Sequence, residues 1–320
     1  MLQNPPRLIL APLTVWFFGV ASAEPPDAPE GFRWKRMDRF SDEFDGERLD
    51  GTKWHDHFPG WVGRPPGRFL PGNVTLDGGH LRIESNQLPE PEPVPGAKPK
   101  PGQPTPQFTI GCGAIQSKAA DALYGYYECR MKASRIPTSS TFWLINTLPR
   151  PDGTRLRTEL DIQECIGGAQ RWKAFADHMM GNTHVTLYPK EEADGQVSGQ
   201  ANGQVSKQDD APEGRPEPAT VKAGGRAKLS SGVADEFHTY GCWWVDGNTM
   251  HFYADGEPVF TINVSDEVVE APFHQPMRLN LVCETYAWET TPTTSQLADT
   301  ENNFTLYDWV RCYELVKDAE

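Results

Sequence analysis

Beyond its first two dozen residues, the chain has no long stretch with the 3.6-residue apolar spacing of a helix. Short aromatic and β-branched runs alternate instead with Gly, Pro, Asn and Asp. Residues 73–85 (NVTLDGGHLRIES) read as strand, Asp-Gly-Gly turn and strand. Residues 124–134 (YGYYECRMKAS) alternate aromatic and polar side chains. Residues 140–147 (STFWLINT), 158–166 (TELDIQECI) and 180–188 (MGNTHVTLY) are strand-like. Residues 237–263 hold two or three strands joined at Asp246-Gly247-Asn248 and Asp255-Gly256, and residues 304–315 supply another. Many short strands with such turns specify an all-β, antiparallel sandwich or barrel.

Three segments stand outside that pattern. At the start, Arg7 precedes an apolar run at residues 8–20 and the small residues Ala21-Ser22-Ala23. This is the layout of a signal peptide over residues 1–23, with cleavage expected after Ala23 and a secreted, extracellular or periplasmic protein as the result. The run is shorter than the roughly 20 residues of a membrane span, and no later segment is long and apolar enough to be one. Residues 87–107 are proline-rich and expected to be extended or mobile. Residues 190–227 carry almost no large apolar side chain and are expected not to order themselves. Both read as polar inserts in a single domain covering residues 24–320.

Charge narrows the partners. With 30 Lys and Arg against 44 Asp and Glu, the net charge is -14. Phosphate binding needs a basic surface, so a nucleic-acid partner is not expected, and neither is a membrane. Six cysteines in an oxidising compartment allow up to three bridges, or several buried thiols. None are at C-x-x-C spacing, so a zinc site is not expected.

The chemistry lies in Glu159-Leu160-Asp161-Ile162-Gln163-Glu164. Alternate side chains of a strand share a face, so Glu159 and Asp161 point away from Leu160 and Ile162. Strict alternation would turn Glu164 to the wrong side; one β-bulge after Asp161 returns it. Crowded acids repel, and at least one pKa must rise. A retaining glycosidase uses that asymmetry, with one carboxylate attacking the anomeric carbon and one carboxylic acid protonating the leaving oxygen. An exposed polar strand face is the plainer alternative. The apolar setting of the acids, after the aromatic run STFWLINT, points instead to a wet cleft.

Here the chain resembles glycoside hydrolase family 16. It is most similar to the marine red-algal galactan hydrolases of that family: β-agarases, porphyranases and κ-carrageenases. The likeness covers roughly residues 40–313. It rests on FSDEFDGERLDGTKW, PGWVGRPPGRFLPGNVTLDGGHLRI, QSKAADALYGYYECRMKASRIPTSSTFWL, ELDIQE, FHTYGCWWVDGNTMHFYADGE and the closing region from Glu284, in family order. The resemblance implies a concanavalin-like β-jelly roll with a substrate groove across its concave sheet. It makes Glu159 the nucleophile, Asp161 the assisting acid and Glu164 the general acid/base, cleaving internal β-1,4 or β-1,3 bonds. The departures are Glu289, where an arginine is expected after the tryptophan in many agarases, and the two long inserts.

Candidate substrate contacts are Trp143, Trp61, Arg64, His184, Glu284 and Trp288. Aromatic faces stack on sugar C–H groups, and an arginine fork grips hydroxyls or a sulfate. Each has a structural alternative: a core tryptophan, a surface ion pair, a satisfied histidine. Asp308 is a candidate ligand of a structural calcium, as in many family members. No cofactor is required for catalysis, the polysaccharide is the expected partner, and a monomer is expected. Expected substrates are agarose or porphyran; κ-carrageenan or laminarin is the alternative. A non-catalytic carbohydrate-binding module is the alternative of another class, though a lectin has no use for three repelling acids.

Overall fold

The computed structural model describes residues 24–99, 102, 104–190 and 217–318. The expected signal peptide and residues 191–216 of the second insert lie outside the described residues. The strands in chain order are β1 (Phe32–Arg36), β2 (Trp54–His55), β3 (Gly67–Phe69), β4 (Val74–Asp77), β5 (His80–Glu84), β6 (Asn86–Pro93), β7 (Gln107–Ser117) and β8 (Gly125–Lys132). There follow β9 (Ser139–Pro149), β10 (Arg155–Cys165), β11 (His178–Tyr188), β12 (Ala219–Lys228), β13 (His238–Trp244), β14 (Thr249–Ala254), β15 (Glu257–Asn263), β16 (Arg278–Glu284) and β17 (Phe304–Lys317). One four-residue α-helix, Thr294–Leu297, interrupts the closing loop.

The strands make two sheets. One runs β15-β14-β13-β8-β17-β5-β4 with β1 on β17; the other runs β12-β11-β10-β9-β16-β7-β2 with β3 and β6 on β7. All pairings are antiparallel except that of β3 with β7. The apolar faces meet between the sheets. Leu156, Leu160 and Ile162 of β10, Phe142 and Leu144 of β9, and Leu279 and Leu281 of β16 share one buried cluster with Tyr127, Trp244, Phe252 and Tyr307 of the other sheet. Each such large apolar side chain contributes about 1.5–3 kcal/mol on burial. A second cluster, on the opposite face of the second sheet, gathers Phe58, Trp61, Phe69, Trp143, Ile145 and Val282.

The first insert is extended, as expected, and the structure corrects the reading of the end of the second. Residues 86–93 form β6, which pairs with β7 from Asn86↔Gly111 to Pro93↔Gln107. Its prolines are tolerated because a sheet-edge position leaves the missing N–H without a required partner. The end of the second insert is β12, paired with β11 through ten residues from His178↔Lys228 to Leu187↔Ala219. Val221 and Ala223 of β12 pack against the core. Its glycines serve packing, not looseness. Gly181 and Gly225 are cross-strand partners. A Cβ on Gly181 would meet the Phe252 ring at 2.5 Å, and one on Gly225 the Phe260 ring at 2.3 Å. Those two rings stack at 4.6 Å. All six cysteines are buried free thiols.

Gly225→Val fills the space the Phe252–Phe260 stack requires. We expect it to destabilise the fold by about 1–3 kcal/mol, read as a lowered thermal midpoint; an unchanged midpoint would mean that β12 is not packed on β15.

Candidate active site

Strand β10 carries two incompatible faces, and its register reconciles them. Glu159 pairs with Ile145 and Asp161 with Trp143, but Gln163 then pairs with Phe142 and Glu164 with Thr141, so the register slips between Asp161 and Gln163. That slip is the bulge the three acids require. Glu159, Asp161 and Glu164 all line one pocket of about 320 Å³, while Leu160 and Ile162 lie in the core. Gln163, on the core side, is satisfied by the backbone of β11: its Nε2 donates to the His178 carbonyl at 3.3 Å and its Oε1 accepts the Met180 N–H at 2.7 Å.

The sequence-derived contacts Trp143, Trp61, Arg64, His184, Glu284 and Trp288 all line this pocket. Trp143 arrives on β9 opposite Asp161. His184 arrives on β11 opposite Glu159; its Nε2 lies 3.3 Å from Asp161 Oδ2 and 3.9 Å from Glu159 Oε1. Trp61 stacks on Phe58 at 5.3 Å. The loop between Trp61 and β3 turns at Gly63, where φ is +125° and an added Cβ would lie 2.4 Å from the Gly67 carbonyl oxygen, so a side chain is excluded. That turn sends Arg64 inward. Its guanidinium lies 4.6 Å from the Tyr286 ring centroid, and its Nη2 lies 3.7 Å from Glu284 Oε2.

Other contributors escaped the sequence reading. Arg157, two residues before Glu159 on the same strand face, donates to Glu159 Oε2. Asn182 Nδ2 donates to Glu164 Oε2 at 3.2 Å. The Tyr286 hydroxyl hydrogen-bonds Glu164. Phe175, Lys222, Thr141 and Met180 complete the lining. Arg157 and Asn182 could have been found by extending the period-2 face of β10 and β11; Tyr286 and Phe175 come from loops whose path no periodicity reveals.

Three buried polar atoms on this pocket have no hydrogen-bond partner among the described residues: Trp143 Nε1, Arg64 Nε and Glu284 Oε2. Buried polar groups are nearly always paired, so unpaired donors and an acceptor beside one cavity suit a hydroxyl-rich ligand. The Asp308 carboxylate lies outside this pocket, among protein partners. Arg130 Nη1 donates to its carboxylate and His80 Nε2 lies 3.6 Å away; calcium takes six to eight oxygen ligands.

The chain matches the family model described as beta-porphyranase A-D, GH16 domain, over residues 34–315. It belongs to glycoside hydrolase family 16. A beta-porphyranase E of Zobellia galactanivorans is 42% identical over 90% of both chains. A beta-porphyranase B of Phocaeicola plebeius is 38% identical over 92% of this chain and 89% of its own. The crystal structure of a beta-porphyranase from the human gut bacterium Bacteroides plebeius superposes with a TM-score of 0.73 at 36% identity, covering 92% of this chain and 96% of that one. The fold is accordingly the jelly roll of these glycoside hydrolases.

Electrostatics separate the acids of this family member. Burial, then the charge of Asp161, raises the Glu159 pKa, against the opposing charges of Arg157, His184 and Arg64. Burial, then the charge of Asp161, pushes Glu164 up to about 7, against Tyr286 and the charge of His184; Asn182 donates to it. Glu284 is likewise raised to about 7 by burial, against the charge of Arg64. Burial alone would lower the His184 pKa, but the hydrogen bond and charge of Asp161 outweigh it and the pKa is raised. The pocket thus raises the proton affinity of all three glutamates, Glu164 and Glu284 to about 7, while the charges of Arg157, His184 and Arg64 oppose the rise at Glu159.

The folded-state pKa of Glu164, about 7, exceeds its ordinary 4.5. Between those values the native protein keeps a proton that the unfolded chain has lost, so stability from this group falls as pH rises through the window. Glu164→Gln removes that loss. The melting temperature of the variant relative to the parent is expected to be higher at about pH 8 than at about pH 4.5, and paired melts with the opposite order would contradict the raised pKa.

Proposed function

We propose that this chain is an exported, endo-acting retaining galactan hydrolase of beta-porphyranase type, with Glu159 as nucleophile and Glu164 as acid/base. One observation carries the reading: the bulge in β10 puts three acids on one pocket face, with the proton-holding carboxyl at one end and the arginine-paired carboxylate at the other. In the first step Glu159 attacks the anomeric carbon while Glu164 gives its proton to the glycosidic oxygen. The C–O bond breaks, one half of the chain departs and a glycosyl ester forms on Glu159. In the second, the Glu164 carboxylate takes a proton from water, whose oxygen displaces Glu159 from the anomeric carbon. Asp161 lies between the two glutamates on the strand. Its contact with His184 favours the protonated form of that imidazole beside the pair.

Among galactans, porphyran is favoured. The relatives at 42% and 38% identity are named beta-porphyranases, whereas the agarases are 26% identical or less. A sulfated polymer needs bases in the groove, and Arg64, Arg157 and Lys222 line this pocket in a chain of net charge -14. Carboxyl groups suffice for the chemistry without a cofactor. The protein is expected to act as a monomer after removal of residues 1–23.

The test is incubation with porphyran, agarose, κ-carrageenan and laminarin, with products separated by size. Short oligosaccharides from porphyran are expected. Glu159→Gln should abolish them with folding retained, and Glu164→Gln should lower the rate by about 10²–10⁴-fold. Because the general acid must be protonated, kcat/KM should fall as pH rises through about 7. Unchanged activity in Glu159→Gln would sink the assignment.

A further inference from the structure

Trp172 is 59% exposed, more than any other large apolar side chain among the described residues. A single exposed tryptophan means little by itself; the support beneath this one gives it meaning. It lies in the turn that leaves β10, and its carbonyl accepts the N–H of Phe175 at 3.0 Å. Phe175 lines the pocket and lies 5.1 Å from Trp288, which stacks on Tyr286 at 4.7 Å and 26°. The turn is fastened from below by Glu289, only 3% exposed. Its carboxylate accepts the backbone N–H groups of Gln170 (3.3 Å), Arg171 (3.1 and 3.2 Å), Trp172 (3.4 Å) and Thr290 (2.6 Å). Burying a carboxylate is costly unless its hydrogen bonds are satisfied, and here they are satisfied by ordering one surface turn. The residue that stood out in the sequence as a departure is therefore what joins the β10–β11 turn to the closing loop.

The two flanks of β10 differ in kind. On the β9 and β16 side, Trp143, Trp61 and Glu284 are nearly enclosed, with 7%, 9% and 4% exposure. Past the Glu164 end of β10, where the chain turns toward β11, stands the open indole. In a retaining reaction one half of the polymer becomes covalently attached and is distorted toward the transition state, which demands enclosing contacts. The other half must depart after the first step, and a solvent-open stacking face suits it.

Resting on the galactan hydrolase reading, we propose that Trp172 is a stacking platform for a sugar of the departing half of the polymer, and that Glu289 is the positioning residue that holds it there. A pyranose presents a C–H face that matches an indole, and such contact is worth about tenfold in rate when made in the transition state.

The experiment compares two substrates: the polymer cleaved by the parent protein, and the 4-nitrophenyl glycoside of its oligosaccharide product, whose departing group is a phenol with no sugar. The readout is the ratio of kcat/KM on the polymer to kcat/KM on the aryl glycoside. Trp172→Ala is expected to lower that ratio about tenfold, Trp172→Phe to keep most of it, and Glu289→Gln to lower it in the same direction, with melting temperatures recorded for all three. A ratio in Trp172→Ala equal to that of the parent, whether both activities fall together or neither falls, overturns the platform. A parent protein that cleaves none of the four polymers overturns the galactan hydrolase reading itself, and the platform with it.

Discussion

Everything in the site depends on one strand serving two solvents. The inner face of β10 must be apolar to close the sandwich, and Leu156, Leu160 and Ile162 make it so. The outer face must hold three carboxyl groups in one cavity. A regular strand cannot present Glu159, Asp161 and Glu164 on one side, because the spacing between the last two is odd. The extra residue at the bulge resolves the conflict, and Gln163 pays for its inward turn with two hydrogen bonds to β11.

The neighbours of β10 then divide the acids. Arg157 and His184 reach Glu159 and Asp161 because they lie on the same face, on the same strand or the adjacent one. Glu164, further along, meets Asn182 and Tyr286 instead. Similar carboxyls thus acquire different proton affinities through the charge of what surrounds them. The loops finish the enclosure: Arg64 enters from the turn before β3, while Tyr286 and Trp288 enter from the segment after β16.

Much of this was legible in advance where a local rule applied. The alternation in β8 to β11 and the turns at Asp246-Gly247-Asn248 and Asp255-Gly256 placed strands, and the E-x-D-x-x-E spacing implied the bulge. The end of the second insert misled for a physical reason. Composition measures how much apolar surface a segment can bury alone, yet β12 orders by pairing with β11 and by letting two glycines admit the rings of Phe252 and Phe260. The partners of Asp308, Arg130 and His80, were not legible because they are distant in sequence and only the sheet brings them to it.

The sequence by itself determined the fold class, the family and the strand that carries the acids, since periodicity and motif order are properties of residues near one another in the chain. Only the tertiary structure decided which base meets which acid, that the six thiols stay unpaired, and that Glu289 ties two rim loops together. Those are contacts between residues far apart in the chain, and their energies depend on distance and burial in space, which linear spacing does not encode.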